Sequence, residues 1–323
     1  MVHKILIAQD ISEKGKQYLQ ERGYEIKMGS GISVEVLARE VVDCSAIVAR
    51  TAEYPREVLQ AGKDLKVVGR HGVGVDNIDV EAATELGIYV TNAPESNAET
   101  VAEHTIALML ALAKNIVRSD QALRSGNFAI RNQICGVDVA GKTLGIVGLG
   151  RIGASVAKKA ACGFEMKVIG YDPYLTPDNY PEHAEVLSEW DRIFRESDFV
   201  TLHLPSNEAT QGIVGRKELY LMQPTACLIN AARGEIVNEQ ALLAALREHR
   251  IAGAGLDVYA QEPPVAEDPL FALDNVVVTP HSAALTAECL DRMAVHAAMG
   301  IDEVLSGQQP SWPVNEPKAR RQD

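Results

Sequence analysis

Three segments in the second half of the chain each run as an apolar stretch and stop on a polar side chain. They are Ile229-Asn230-Ala231-Ala232-Arg233-Gly234, Gly255-Leu256-Asp257-Val258-Tyr259-Ala260-Gln261-Glu262-Pro263 and Val278-Thr279-Pro280-His281-Ser282-Ala283. If the apolar stretches are strands of one parallel sheet, Arg233, Glu262 and His281 lie just past its carboxyl edge, where such sheets bind ligands. The three side-chain types suit exchange of a hydride and a proton on a 2-oxo acid. A guanidinium offers a planar fork that can hold a carboxylate and polarise the neighbouring ketone. An imidazole titrates in the range where it can give a proton to an alkoxide and take it back. A carboxylate beside that imidazole favours its charged form and fixes its orientation. Arg233, His281 and Glu262 fill these roles in that order. Singly, a surface Arg, a satisfied core His and a helix-capping Glu are ordinary; their shared position at strand ends makes them a set.

A hydride needs a carrier, and the chain has a place for one upstream. Gly148-Leu149-Gly150-Arg151-Ile152-Gly153 follows directly on Thr143-Leu144-Gly145-Ile146-Val147, a buried-strand pattern, and opens a helix of small residues. The glycines provide a tight turn, close backbone approach to a pyrophosphate, and tight packing of helix on strand. The free N–H groups at the helix start, with Arg151 and Ile152, then face the phosphates. Gly170-Tyr171-Asp172-Pro173 ends the next strand, about twenty residues on. A carboxylate there accepts from the ribose hydroxyls and repels a 2′-phosphate, and no Arg follows Asp172 directly, so NAD is expected rather than NADP. Asp172 can also serve the turn beside Pro173 without conflict. His203-Leu204-Pro205 ends a later strand, where the adenine would lie; the alternative there is a plain strand exit.

These residues need a framework of alternating strands and helices. Residues 4–8, 46–49, 65–69 and 88–90 read as strands with amphipathic helices between them, which indicates a parallel α/β sheet. Residues 98–114 read as one apolar helix of a length that suits a connector between two domains. A second series follows, with strands at 142–147, 167–171, 199–203, 226–230, 254–256 and 276–279 and a helix at 152–162. The last helix covers 286–306, and the Pro-rich, charged tail 308–323 is expected to be loosely held.

The bulk composition agrees with a globular protein of two domains. The chain has 323 residues, 46% hydrophobic and 23% charged, too long for one ordinary core. Its 31 Lys and Arg against 44 Asp and Glu give a formal charge of −13, which argues against a nucleic-acid partner. An anionic substrate would therefore need a local cluster of arginines. Five scattered cysteines show no metal-like spacing and read as reduced, mostly core thiols of a cytoplasmic protein, with no metal expected. Ile5-Leu6-Ile7-Ala8 is too short for a signal segment, and nothing directs the chain to a membrane.

Over nearly its whole length the sequence resembles the D-isomer-specific 2-hydroxyacid dehydrogenase family. The likeness rests on Gly69-Arg70-His71-Gly72-Val73-Gly74-Val75-Asp76-Asn77-Ile78-Asp79, on Asn97-Ala98-Glu99-Thr100-Val101-Ala102-Glu103-His104-Thr105, on the glycine turn and on the three segments above. It implies two doubly wound parallel-sheet domains, with a Rossmann-type NAD domain at 99–285 inserted in a flavodoxin-like substrate domain formed by 1–98 and 286–323. It also implies a homodimer joined through the cofactor domain; closure over the ligand, hinged near Asn97 and Thr286, is expected because catalysis needs water excluded. It supports the Arg–Glu–His assignment and places the backbone N–H groups of Val73 and Gly74 at the substrate carboxylate. Thr100, Thr210, Ala231 and Asp257 are assigned to the cofactor's surroundings, and Asn97 to the substrate's. Within the family the likeness leans toward the 3-phosphoglycerate dehydrogenases, whose substrate-contacting arginines resemble Arg50, Arg70 and Arg131. Two departures stand against that: His71 replaces a small residue, and Phe128-Ala129 disturbs a Trp-centred stretch before Arg131. The regulatory extension of many such enzymes is not expected beyond the last helix. Hydroxypyruvate and glyoxylate remain alternative substrates. Dinucleotide-binding corepressors resemble the same fold, whereas formate dehydrogenases generally pair the His with Gln, not Glu.

Overall fold

The computed structural model describes residues 2–317. The chain divides into two compact units, one of residues up to Asn97 and from Leu285 onward, the other Ala98–Ala284.

The first unit is built on β1 (Lys4–Ile7), β2 (Glu25–Met28), β3 (Ala46–Ala49), β4 (Val67–Arg70) and β5 (Tyr89–Thr91). They pair in parallel in the order β2-β1-β3-β4-β5, the flavodoxin-like order. Strands of a parallel sheet are covered on both faces, which is why β3 reads AIVA and is buried throughout. One face packs Ile5, Ile7 and Val67 against Ala294, Ala297 and Ile301 of the helix Ala287–Leu305. The other packs Leu6, Ile47 and Val68 against Leu37 and Leu59 of shorter helices. Thr286 caps the long helix, its hydroxyl accepting from Cys289 N. β2 escapes the sequence pattern because it is an edge strand, charged and partly exposed.

The tail is not loose where it is described. Val314 N donates to Val90 O at 2.8 Å, and Asn92 N to Trp312 O at 3.2 Å. The buried Asn315 side chain accepts from Val90 N and donates to Ile88 O. β5 is a sheet edge with unpaired backbone groups, and residues 312–315 satisfy them. Of the predicted loose end, residues 318–323 lie outside the described residues.

The second unit holds β6 (Thr143–Val147), β7 (Lys167–Tyr171), β8 (Glu185–Val186), β9 (Phe199–Leu202), β10 (Cys227–Asn230), β11 (Gly253–Leu256) and β12 (Val276–Val278). The parallel order is β12-β11-β10-β9-β6-β7-β8. Counted from β6 this is the Rossmann order 3-2-1-4-5-6 with one added strand, and it reverses between β6 and β9. The helices Ala98–Ala113 and Arg151–Phe164 pack on one face, through residues such as Met109, Val156 and Ala160. Ile193, Leu219 and Leu242 cover the other. Residue 98 onward thus belongs to this unit as a core helix. At Asn115, in the left-handed region with φ 49°, that helix ends and a second one, Ile116–Arg124, begins. No single helix among the described residues is long and apolar enough to cross a membrane.

Candidate active site

Each glycine of the turn after β6 has a distinct physical reason. Gly148 has φ +89°, and a Cβ there would stand 2.5 Å from His203 O. A Cβ on Gly153 would stand 2.0 Å from Gly148 O, so only glycine lets the helix start so close to the turn. Gly150, the N-cap of the helix Arg151–Phe164, faces open space within 4 Å and has no side-chain cap. The start of the helix, which no side chain caps, lies in the position where a pyrophosphate binds. Arg151 is exposed beside it and Ile152 half-buried.

Asp172, just past β7, hangs over this turn. Its Oδ2 accepts from Leu149 N at 3.0 Å and its Oδ1 from Tyr174 N at 3.0 Å. A carboxylate accepts about four hydrogen bonds, so capacity remains for two ribose hydroxyls. His203 ends β9 across the reversal point, with Nε2 3.0 Å from Thr201 Oγ1 and Nδ1 buried without a partner among the described residues. Burial pushes this imidazole down to about 3, so it is neutral. Leu204 and Pro205 follow, and the Thr210 hydroxyl closes their loop on Pro205 O at 2.7 Å. Glycine turn, open helix end, free carboxylate capacity and an orphan buried nitrogen together fit a dinucleotide. Thr100 and Ala231 are buried in the same unit, Ala231 packing on Val101 and Ala283.

The acid–base pair forms at the carboxyl edge of the same sheet. His281 Nδ1 lies 2.6 Å from Glu262 Oε2, and Glu262 Oε1 accepts from Tyr259 N at 3.1 Å. Burial would raise the Glu262 carboxyl, but the His281 hydrogen bond and charge, Tyr259 N–H and the Arg233 guanidinium outweigh it and hold it low. Glu262 is therefore an ionised partner for the imidazole. His281 itself sits in the left-handed region at φ +50°. That conformation costs a residue other than glycine about 1–2 kcal/mol, so the surroundings must impose it.

Asp257 imposes it. This carboxylate is fully buried just past β11. Its Oδ1 accepts from Thr279 Oγ1 at 2.5 Å and Ser282 N at 2.8 Å, and its Oδ2 from Ala283 N at 2.9 Å. Its carbonyl takes the N–H of His281 at 2.8 Å, and its N–H is donated to Asn230 O. Asn230 in turn shapes the Arg233 loop, donating to Arg233 O at 2.8 Å and accepting from Ala232 N at 3.1 Å. Arg233 is half-buried, with Nη1 on Ala232 O at 2.7 Å. The three segments read from the sequence thus converge within one unit. Sequence reading missed the residues that hold them: Asn230, Tyr259 and Thr279. The available signal was a polar residue ending each buried strand, since a buried polar group needs partners.

The residues expected at the substrate divide between the units. Arg50, Arg70, Val73, Gly74 and Asn97 belong to the first, and Arg131 to the second. Arg50 Nη1 donates to Asp10 O. Arg70 donates to the carbonyls of Gly74 at 2.6 Å and His71 at 2.7 Å, and these bonds shape the turn after β4. No hydrogen bond among the described residues engages the N–H of Val73 or Gly74. Asn97 is half-buried. Arg131 is exposed, its guanidinium 5.4 Å from the Phe128 ring. No group of three His, Cys, Asp or Glu side chains among the described residues could hold a metal ion.

The family model described as "D-isomer specific 2-hydroxyacid dehydrogenase, NAD binding domain" matches residues 106–283. The chain is 41% identical to a D-3-phosphoglycerate dehydrogenase of Archaeoglobus fulgidus over 99% of its own length and 60% of that protein's. It is 39% identical to a glyoxylate reductase of Korarchaeum cryptofilum, over 98% of its own length and 97% of the relative's. The solved TT0316 protein of Thermus thermophilus superposes with a TM-score of 0.89 at 36% identity, covering 97% of this chain and all of that one. The chain spans about 60% of the length of the first phosphoglycerate dehydrogenases it matches. With the glycine cradle and the acid–base pair both in place, this chain belongs to the D-isomer-specific 2-hydroxyacid dehydrogenase family and carries that family's NAD-binding domain.

Proposed function

We propose that the chain is an NAD-dependent enzyme that interconverts a D-2-hydroxy acid and its 2-oxo acid. The observation that carries this reading is the 2.6 Å contact of His281 with an ionised Glu262, on the sheet whose glycine turn fits a dinucleotide. NAD, when bound, supplies or accepts the hydride. Arg233 holds the carboxylate and polarises the ketone through its fork. His281 donates Nδ1–H to Glu262, which leaves Nε2 to give a proton to the substrate oxygen or take it back. The ionised Glu262 stabilises the imidazolium between those events.

The first unit is read as the substrate domain. The N–H groups of Val73 and Gly74, which engage no hydrogen bond among the described residues, suit a carboxylate. Arg50 and Arg131 favour a second anionic group on the substrate, and 3-phosphoglycerate is the leading candidate. Glyoxylate or hydroxypyruvate is the alternative, supported by the glyoxylate reductases among the relatives. The enzyme is also read as a cytoplasmic homodimer. Exposed free thiols at Cys135 and Cys162 suit a reducing compartment. Helix Ile116–Arg124 buries none of its residues, and Ile116, Leu123, Phe128 and Val137 are all exposed, an apolar face suited to a second copy.

Steady-state assays of NADH consumption with glyoxylate, hydroxypyruvate and phosphohydroxypyruvate, and of NAD reduction with D-3-phosphoglycerate, test the reading. Turnover of at least one is expected; silence on all would leave a dinucleotide-binding corepressor as the better reading. Arg131→Ala is expected to cost a phosphorylated substrate about tenfold more than glyoxylate, on the scale of one lost charge-assisted contact. Equal losses would remove the case for a second anion. Light scattering is expected to report a dimer, and Leu123→Arg with Phe128→Arg a monomer.

A further inference from the structure

We propose that His104 is a positioning residue for the reaction, acting as an Nε2–H donor that holds the His281 loop through Thr279. It lies on the helix Ala98–Ala113, and its side chain is 22% exposed. Its Nε2 stands 3.0 Å from Thr279 Oγ1 and 3.6 Å from Asp257 Oδ1. A threonine hydroxyl has one proton, and Thr279 gives it to Asp257 at 2.5 Å. Toward His104 the same oxygen can only accept, so His104 Nε2 carries a proton whatever the charge of the ring.

The chain of donors therefore runs one way, from His104 N–H to Thr279 O–H to the Asp257 carboxylate. That carboxylate receives the N–H groups of Ser282 and Ala283, the two residues after His281. The aspartate's carbonyl receives the N–H of His281 itself. Thr279 has two anchors on its hydroxyl, Asp257 from the segment after β11 and His104 from the helix Ala98–Ala113. Without it, the hydroxyl retains Asp257 but loses the contact that fixes its direction. His281 occupies a backbone conformation that only its surroundings enforce, so slack at Asp257 is transmitted to the imidazole. Small displacements of an acid–base group are costly to rate, up to about a hundredfold for 1 Å.

The inference rests on His281 being the proton donor, and its test has an arm that needs no substrate. His104→Leu keeps the volume and removes the donor; His104→Gln places an amide N–H where the ring nitrogen was. His104→Leu is expected to lower kcat about tenfold with less than a twofold change in NADH affinity, and His104→Gln to stay within about threefold of the parent. Leu tolerated as well as Gln would mean that the site is only packing, and would overturn the proposal. Hydrogen exchange at the Ser282 and Ala283 amides, read by NMR on the protein without substrate, is expected to quicken in His104→Leu and not in His104→Gln. Unchanged exchange in His104→Leu overturns the coupling even if the enzyme turns over, and quickened exchange sustains it even if no tested acid does. Imidazole nitrogen shifts give a third reading: a neutral His104 ring protonated only at Nδ1 also overturns it.

Discussion

Gly234 and Tyr259 touch backbone to backbone. A Cβ on Gly234 would stand 1.9 Å from the Tyr259 carbonyl carbon and 2.0 Å from its oxygen. Gly234 follows Arg233, and the Tyr259 N–H is the donor that holds Glu262. The contact therefore brings the cation's loop against the carboxylate's loop, and it leaves no room for any side chain.

Gly234→Ala is accordingly expected to damage the site more than its conservative chemistry implies. The two backbones must separate, at a cost of about 1–3 kcal/mol for overpacking. Denaturant unfolding is expected to register that loss, and kcat to fall at least tenfold. Full activity with unchanged stability would contradict the close approach.

His281→Ala is expected to reduce kcat by about 10²–10⁴-fold, the usual contribution of a general acid–base group. Dinucleotide binding, measured by NADH fluorescence, is expected to stay within about twofold, because the imidazole's hydrogen bond goes to Glu262 and not to the cradle at Gly148–Gly153. Loss of binding in this variant would remove His281 from the proton-transfer role.

Asp172→Ala is expected to lower the ratio of kcat/KM for NAD over NADP by roughly tenfold, about the worth of one or two lost hydrogen bonds. The variant also frees Leu149 N and Tyr174 N, so a modest rise in KM for both cofactors accompanies it. Undiminished discrimination would locate the ribose contact elsewhere.

Acid stability tests His71. This ring is 5% exposed, with Nε2 buried and unpartnered among the described residues. Burial first, then the Arg50 charge, pushes it down to about 4 from 6.5. Between those values the unfolded chain binds the proton and the folded one does not, so folding stability falls as pH drops from about 6.5 toward 4. From pH 7 to pH 5 the loss attributable to this group is roughly 2 kcal/mol. His71→Leu is expected to flatten that part of the pH–stability curve. A variant with the parent's slope would show that the ring is protonated in the folded protein.

Much of this molecule was legible in its residues because strand and helix periodicities are local. The apolar runs that became β3, β6 and β10, and the glycine spacing after β6, follow from backbone sterics and burial within a few residues. The pairing of polar residues with strand ends was readable for the same reason, so Arg233, Glu262 and His281 stood out as a set. Edge strands such as β2 and β8 were not legible, since half-exposed charged residues look like loop. The docking of residues 312–315 was hidden as well, because it answers the unpaired edge of a strand more than two hundred residues away. Only the tertiary structure decided that Asp257 would anchor the His281 loop, that Gly234 would lie against Tyr259, and that His104 would reach Thr279. Each of these joins segments distant in sequence, and the strength of a hydrogen bond or the exclusion of a methyl group depends on tenths of an ångström that only packing sets.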